Sequence, residues 1–193
     1  MGQAYSTFRD IEACPNWSCV LNLAAAHPAD RLDRALPWRL PLATVAGARV
    51  SSAYGPRRHP LLADTVRLLH AGLDLAAPVG TPVLASACGR ARLGRSPALG
   101  LYVMIDHLNG FTSTYAHLSG SVLSPAGALD AQGTAAAAAP PPVAAAQFLQ
   151  QGECLGWVGA TGRATGAHLH FSVHYRGLPL DPLALRRAVL LIR

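Results

Sequence analysis

Short β-prone runs of apolar and alternating residues follow one another from Arg49 onward, and glycine, proline or asparagine ends most of them. Examples are LYVMIDH, FTSTYAHL and HLHFSVHY. Short strands between turn residues are typical of an antiparallel all-β domain. We therefore predict a compact antiparallel β-sheet or β-sandwich over residues 49–185, followed by a C-terminal tail at 186–193.

Two segments depart from this pattern. Residues 1–48 combine a short predicted helix at 29–36 with proline-punctuated stretches, and we interpret them as an irregular, partly helical N-terminal lead-in. Residues 124–150 form an Ala/Pro-rich block whose triple proline fits neither a sheet nor the middle of a helix. We interpret this block as a surface insertion between two strands, in part helical at 143–150.

Composition and charge narrow the function classes. The 193-residue chain is 51% hydrophobic and 13% charged, as expected of a globular domain. Its net charge of +6 permits contact with an acidic polymer, but no basic run is interleaved with aromatic residues. We therefore expect no nucleic-acid partner. No apolar stretch of about 18 residues predicts a transmembrane segment, and no ordinary signal peptide is visible at the N-terminus.

The four cysteines do not predict a metal site. Only Cys14 and Cys19 lie close together, and no second pair completes a metal ribbon. These two residues either form a small disulfide loop or remain free thiols. Cys88 and Cys154 lie in apolar, strand-like sequence, where we expect buried free thiols.

The sequence HLH near the C-terminus places two histidines on one face of a predicted strand. Residues two apart on a strand point to the same side, so His168 and His170 face one space. Leu169 and Phe171 then face the other side, where we expect the core.

The sequence HAGLD places His70 four residues before Asp74. A straight strand would separate these two residues by about 13 Å, which is too far for one metal ion. Gly72 is the expected position of a bend that brings them together, because it lacks a Cβ. A helical i, i+4 pair is the alternative, but Gly72 and the following AAPVGTP argue against a helix.

These residue types fit catalytic metal chemistry. A set of His, Asp and His matches a catalytic zinc site that has three protein ligands and one position for water, and the ion lowers the pKa of that water. Amide hydrolysis also needs a base and an oxyanion donor, and histidines left over after ligation suit both roles. A single strand histidine is usually structural, which is our interpretation of His27, His107 and His174.

Residues 49–183 resemble the lysostaphin-like, LytM-type zinc metalloendopeptidases, which cut peptide bridges in bacterial peptidoglycan. The resemblance implies a compact antiparallel β structure with a narrow groove and one zinc ion at its floor. It rests on four segments in the family's order: RVSSAYGPRRHP, HAGLDLAAPVGTPVLASACGRA, LYVMIDHLNGFTSTYAHLS and LGWVGATGRATGAHLHFSVHYRGLPLDP.

The resemblance also implies roles for individual residues. By position, His70, Asp74 and His170 would bind Zn²⁺, one ion per chain, and His117 and His168 would be the catalytic histidines. One of these two histidines would assist the water and the other would stabilise the oxyanion, and the resemblance does not assign them individually.

The same resemblance implies a substrate and a compartment. Peptidoglycan cross-links or stem peptides are the expected partners, with Arg57 and His59 as substrate contacts along the groove. A structural ion pair is the other interpretation of Arg57. The alternative function is a non-catalytic relative that binds and activates a cell-wall amidase; such relatives typically lose ligands or catalytic histidines, and all five positions are intact here. The periplasm or the extracellular cell envelope is the expected location.

Overall fold

A computed structural model describes residues 38–42, 48–58, 67–107, 110–123 and 146–185. The described residues form an antiparallel β structure, and the only helical residues among them are 182–185. The predicted all-β fold class is therefore confirmed. The strands are β1 (Arg49–Ser52), β2 (Gly55–Arg58), β3 (Arg67–His70), β4 (Leu73–Ala76), β5 (Pro82–Leu84), β6 (Gly89–Ser96), β7 (Gly100–Asp106), β8 (Phe111–Ser121), β9 (Gln147–Leu149), β10 (Cys154–Val158), β11 (His168–Tyr175) and β12 (Leu178–Leu180).

Ten of these strands belong to one sheet. Its main order is β1-β4-β11-β8-β7-β6-β9, while β10 pairs with β5 and β8, and β12 pairs with β11. Strands β2 and β3 form a separate two-stranded ribbon. Strand β11 therefore lies between β4 and β8, and this order brings three distant parts of the sequence side by side.

The core lies on one face of the central strands. Side chains alternate in direction along a strand, and Leu169, Phe171 and Val173 of β11 are all buried. Across from them on β8, Tyr115 is fully buried and packs against Phe171 with ring centroids 5.2 Å apart. The histidines of β11 consequently point away from the core, as the sequence pattern predicts.

Part of the predicted lead-in packs into this core. Trp38 and Leu42 are buried, with exposed fractions of 6% and 3%. The Arg39 N–H donates to the Ser86 carbonyl at 3.1 Å, and the Leu84 N–H donates to the Pro41 carbonyl at 3.0 Å. Residues 38–42 thus join the β-domain through both side-chain burial and backbone hydrogen bonds.

Two expectations from the sequence are wrong. The predicted helix at 143–150 contains strand β9, which pairs with β6 at the sheet edge and buries Leu149. Burial of an apolar side chain against the sheet outweighs the helix preference of the neighbouring alanines. Cys88 is disulfide-bonded rather than a free thiol, whereas Cys154 is free, as expected.

Several other predictions lie outside the described residues. They concern the helix at 29–36, the thiols of Cys14 and Cys19, His27, most of the Ala/Pro-rich block and the tail at 186–193. Within the described part of the chain, no helix has the length and apolar character needed to cross a membrane.

Candidate metal centre and active site

Three side chains from three strands meet at the end of β3. His70 ends β3, Asp74 lies on β4, and His170 lies opposite Asp74 on β11. The chain turns at residues 71–72 between β3 and β4, which brings His70 Nε2 within 3.2 Å of Asp74 Oδ1. The bend predicted from the sequence is therefore present.

Gly72 makes room for this arrangement. A Cβ at this position would lie 2.6 Å from His170 Cε1, 2.8 Å from His170 Nε2 and 2.9 Å from the Phe171 carbonyl oxygen. Atoms do not approach a Cβ so closely without displacement. The missing side chain of Gly72 therefore leaves the space that the His170 ring occupies.

The spacing of the three ligand atoms fits a tetrahedral metal ion. His170 Nδ1 is 2.8 Å from Asp74 Oδ1 and 3.2 Å from His70 Nε2. Ligands about 2.0–2.1 Å from a tetrahedral ion lie about 3.3 Å from one another. Two imidazole nitrogens and one carboxylate oxygen are also a ligand set that Zn²⁺ accepts. The residues present thus fit the ion that the resemblance implies.

A backbone carbonyl orients one of the two ligating rings. His70 Nδ1 lies 2.8 Å from the Ala53 carbonyl oxygen and 3.3 Å from Ser52 Oγ. A proton on Nδ1 satisfies that carbonyl and leaves the lone pair of Nε2 for a metal. His170 differs, because its Nδ1 is the nitrogen that faces Asp74 and His70.

Asp74 is held in its ionised form. Burial by itself raises the pKa of this carboxyl, but the hydrogen bond with His170 and the charges of His70, His170 and His168 outweigh burial. The net pKa lies below the usual range. An ionised carboxylate suits metal ligation, since the ligand must be deprotonated.

The two remaining candidates, His168 and His117, lie beside the ligand set. Their ring centroids are 4.7 Å apart, and the His117 centroid is 6.1 Å from that of His170. His168 Nε2 is 3.9 Å from Asp74 Oδ1, while its Nδ1 lies 2.8 Å from the Gly166 carbonyl oxygen. The structure brings all five predicted histidine and aspartate residues into one cluster.

A β-bulge directs His117 toward this cluster. Between the pairs Leu101–Leu118 and Val103–Tyr115, β7 contributes one residue and β8 contributes two. The extra residue lets both Tyr115 and Leu118 face the core, and His117 adopts a φ of 64°. Bulges next to active sites often redirect a side chain in this way.

His117 is a buried imidazole. Burial lowers its pKa most, and the charges of His168 and His170 lower it further, whereas the hydrogen bond that His117 donates to the Thr161 carbonyl and the charge of Asp74 raise it. Its Nδ1 lies 2.8 Å from that carbonyl oxygen. A proton on Nδ1 therefore leaves Nε2 as the nitrogen available to a substrate or a water molecule.

Arg57 lies at the edge of a groove that opens beside Asp74 and His168. Its guanidinium Nη1 is 3.8 Å from Asp74 Oδ2, and 56% of the side chain is exposed. The groove has a volume of about 340 Å³. The residues that line it are Ser51, Ser52, Arg57, Asp74, Ala76, Thr165, Gly166, Ala167 and His168. His59, the other predicted substrate contact, lies outside the described residues.

The sequence interpretation missed the groups that orient the histidines. These are the carbonyls of Ala53, Thr161 and Gly166, together with the bulge on β8. The glycine-rich segment GATGRATG before His168 was the available signal, because glycines often mark a close approach of two backbones. Every residue carries a backbone carbonyl, so the identity of a residue does not show that its carbonyl is a hydrogen-bond acceptor for a histidine.

Residues 68–139 and 132–182 match the sequence profile of peptidase family M23. The DD-carboxypeptidase/endopeptidase Mpg of Neisseria meningitidis serogroup B is 42% identical over 138 residues, covering 71% of this chain and 27% of that protein. The peptidoglycan DD-endopeptidase ShyA of Vibrio cholerae is 36% identical, covering 70% and 27%. The chain thus spans about a quarter of the length of these curated relatives.

Solved structures share the fold. A zinc containing peptidase from Vibrio cholerae superposes with a TM-score of 0.58 at 28% identity, covering 77% of this chain and 39% of that one. The catalytic domain of lysostaphin from Staphylococcus simulans superposes with a TM-score of 0.53 at 21% identity, covering 84% and 99%. Both likenesses agree with the antiparallel β architecture described above.

Proposed function

Because the chain belongs to peptidase family M23, we propose that it is a zinc-dependent endopeptidase that hydrolyses peptide cross-links or stem peptides of bacterial peptidoglycan. One observation carries this proposal. His70 Nε2, Asp74 Oδ1 and His170 Nδ1 converge within 2.8–3.2 Å of one another, with two further histidines beside them. A binding module has no need for the two additional histidines.

The chain's own groups divide the chemistry of amide hydrolysis. Zn²⁺ bound by the three ligands would supply Lewis-acid activation of a water molecule. Nε2 of His117 or of His168 accepts the proton of the attacking water. The other ring, in its doubly protonated form, donates its Nε2–H to the carbonyl oxygen as negative charge develops there. The accepted proton then passes to the nitrogen of the departing amine. The products are a carboxylic acid and a neutral amine.

The groove beside the cluster would hold the peptide. Arg57 and the hydroxyls of Ser51, Ser52 and Thr165 line it. A guanidinium among hydroxyl groups suits a carboxylate, and stem peptides carry free carboxylates. We therefore infer that Arg57 contacts a substrate carboxylate. Replacing it in Arg57→Gln should raise KM several-fold and change kcat less. We also propose His59 as a substrate contact.

We propose the periplasm or the extracellular cell envelope as the site of action, because the proposed substrate is a polymer of that compartment. Relatives of this chain named as peptidoglycan endopeptidases act on a polymer of that compartment. The disulfide at Cys88 supports an oxidising environment, because such bonds persist mainly outside the reducing cytosol.

The first experiment uses isolated peptidoglycan sacculi. Wild-type protein and His170→Ala are incubated with sacculi of several wall chemotypes, released fragments are identified by mass spectrometry, and bound zinc is quantified. His174→Ala is the matched control, because His174 lies on the same strand and face as His170. We expect new fragments and about one zinc per chain from the wild type and the control, and neither from His170→Ala.

The released fragments also identify the bond. Loss of a terminal alanine alone would indicate a carboxypeptidase, and separated stem peptides would indicate an endopeptidase. Zinc binding without cleavage of any chemotype would contradict the catalytic proposal and favour a role in binding and activating an amidase. Cleavage that persists in zinc-free His170→Ala would contradict the assigned metal site.

A further inference from the structure

We propose that Thr161 positions His117 for catalysis, and that its side-chain hydroxyl acts by bridging the backbones of β7 and β8 at the bulge. Thr161 belongs to the loop between β10 and β11 rather than to either strand of that ladder. The kinetic part of the proposal rests on the proposed function, whereas its structural part does not.

The hydroxyl of Thr161 joins the two residues that close the bulge. The Leu101 N–H donates to Thr161 Oγ1 at 2.9 Å, and Thr161 Oγ1 donates to the Leu118 carbonyl at 2.9 Å. Leu101 and Leu118 are register partners across β7 and β8. Their backbone groups are therefore connected through an inserted hydroxyl, at the point where the bulge adds a residue.

The carbonyl of the same residue fixes the imidazole ring. Thr161 O lies 2.8 Å from His117 Nδ1, and the His117 N–H donates to the Leu99 carbonyl at 2.9 Å. The side-chain hydroxyl of Thr161 thus binds the backbone at the bulge, and the Thr161 carbonyl orients the ring of His117, which lies in the bulge. A φ of 64° at His117 is costly for a residue with a Cβ, so the conformation needs such support.

Two glycines leave Thr161 the space to reach the bulge. A Cβ on Gly100 would lie 2.3 Å from Thr161 Oγ1, and a Cβ on Gly162 would lie 2.2 Å from the Gly100 nitrogen. Both glycines also have positive φ values, of 64° and 74°. The loop therefore contacts the start of β7 backbone to backbone, which leaves little freedom for Thr161 to move.

The test compares three variants of the zinc-loaded chain. Thr161→Val keeps the shape of the side chain and removes the hydroxyl, and Thr161→Ser keeps the hydroxyl. Thr112→Val makes the same exchange on β8, away from the bulge. Cleavage kinetics are measured on muropeptides, with bound zinc quantified for each protein. The tautomer of His117 is read from long-range proton–nitrogen NMR correlations on ¹⁵N-histidine protein, with the signal assigned by its absence in His117→Gln.

We expect Thr161→Val to retain zinc and to lose about 10- to 100-fold in kcat with little change in KM. Its His117 signal should move from a single Nδ1-protonated form to a mixture of tautomers. Thr161→Ser should restore both readouts, and Thr112→Val should match the wild type. A protein that lacks muropeptide cleavage altogether would contradict the proposed function, and the NMR comparison would still decide the role of Thr161.

Three results would overturn the proposal. The first is an unchanged kcat and His117 signal in Thr161→Val. The second is equal loss in Thr161→Ser, since the hydroxyl would then not be the cause. The third is a wild-type His117 protonated on Nε2, which decides against the proposal even if Thr161→Val does not fold.

Discussion

A histidine in the core and the histidines at the candidate metal centre differ in how the protein uses their ring nitrogens. On the core face, His107 is 3% exposed and has both ring nitrogens occupied. Its Nδ1 lies 2.6 Å from the Cys88 carbonyl oxygen and its Nε2 lies 2.9 Å from Ser113 Oγ. At the candidate metal centre, His70, His117 and His168 each have Nδ1 2.8 Å from a backbone carbonyl oxygen, which leaves Nε2 for other partners.

This difference separates a structural histidine from a functional one more clearly than burial does. His117 is buried almost as fully as His107, at 6% exposure, and burial is the main cause of the lowered pKa of both rings. What distinguishes them is Nε2 of His117, which has no hydrogen-bond partner among the described residues. That nitrogen can accept or carry a proton for a substrate or a water molecule.

The largest expected effect comes from exchanging the two histidines for glutamine. Loss of a catalytic imidazole typically costs about 10²- to 10⁴-fold in rate, so His117→Gln should lose that much kcat and keep its zinc. His107→Gln should keep the kcat of the folded fraction and lose stability instead. Muropeptide kinetics and urea unfolding of both variants test this contrast. Equal losses of kcat in the two variants would contradict the proposed difference in role between His117 and His107.

Acid should destabilise the fold through His107. Burial lowers its pKa from 6.5 to about 4, so the folded state holds the ring neutral while the unfolded chain protonates it below pH 6.5. The stabilisation is therefore complete above pH 6.5 and is lost as the pH falls toward 4, by roughly 3 kcal/mol in total. Urea unfolding between pH 7.5 and 4.5 measures it. The difference between wild type and His107→Gln should shrink with acidification, and a constant difference would contradict the assignment.

Filling the space beside His170 should weaken the metal site without touching a ligand. Gly72→Ala places a Cβ against the His170 ring, and displaced ligands typically lose about 10- to 100-fold in metal affinity. Gly166→Ala is the matched control, because a Cβ there meets nothing within 4 Å. Zinc competition titrations compare the two variants. A wild-type zinc affinity in Gly72→Ala would contradict this prediction, because it would show that the metal site accommodates a displaced His170 ring.

The smallest effect should follow removal of the secondary acceptor on His70. Ser52 Oγ lies 3.3 Å from His70 Nδ1, whereas the Ala53 carbonyl oxygen lies at 2.8 Å. Ser52→Ala leaves the carbonyl in place, so zinc affinity should fall by less than about threefold, equivalent to under 1 kcal/mol. The same competition titration measures it. A tenfold loss would show that the hydroxyl, and not the carbonyl, sets the tautomer.

The sequence was sufficient for features that depend on periodicity and residue type. Strand alternation predicted the shared face of His168 and His170, and the lone glycine predicted the bend between His70 and Asp74. Both follow from local geometry, which depends on near neighbours in the chain. The division of the HLH pair between ligand and catalyst rested on the family resemblance alone, and it remains a prediction.

Features that depend on distant backbone could not be predicted. The bulge at His117 exists because Tyr115 and Leu118 both face the core, which only the completed β7–β8 pairing reveals. Strand β9 lies within a stretch that its alanines favour as helix, and its pairing with β6 decides the outcome. The disulfide at Cys88 likewise depends on spatial proximity rather than on spacing.

The packing of Trp38 determines the residue at which an expressed form of this domain can begin. Trp38 contacts His107, with ring centroids 4.8 Å apart, and Phe111 at 5.9 Å. The indole of Trp38 therefore shields the His107 ring from solvent. A fusion or domain swap designed at the residue 48/49 boundary would remove Trp38 and expose the hydrogen bonds of the His107 ring to water. Fusions built from this domain should therefore be joined upstream of residue 38.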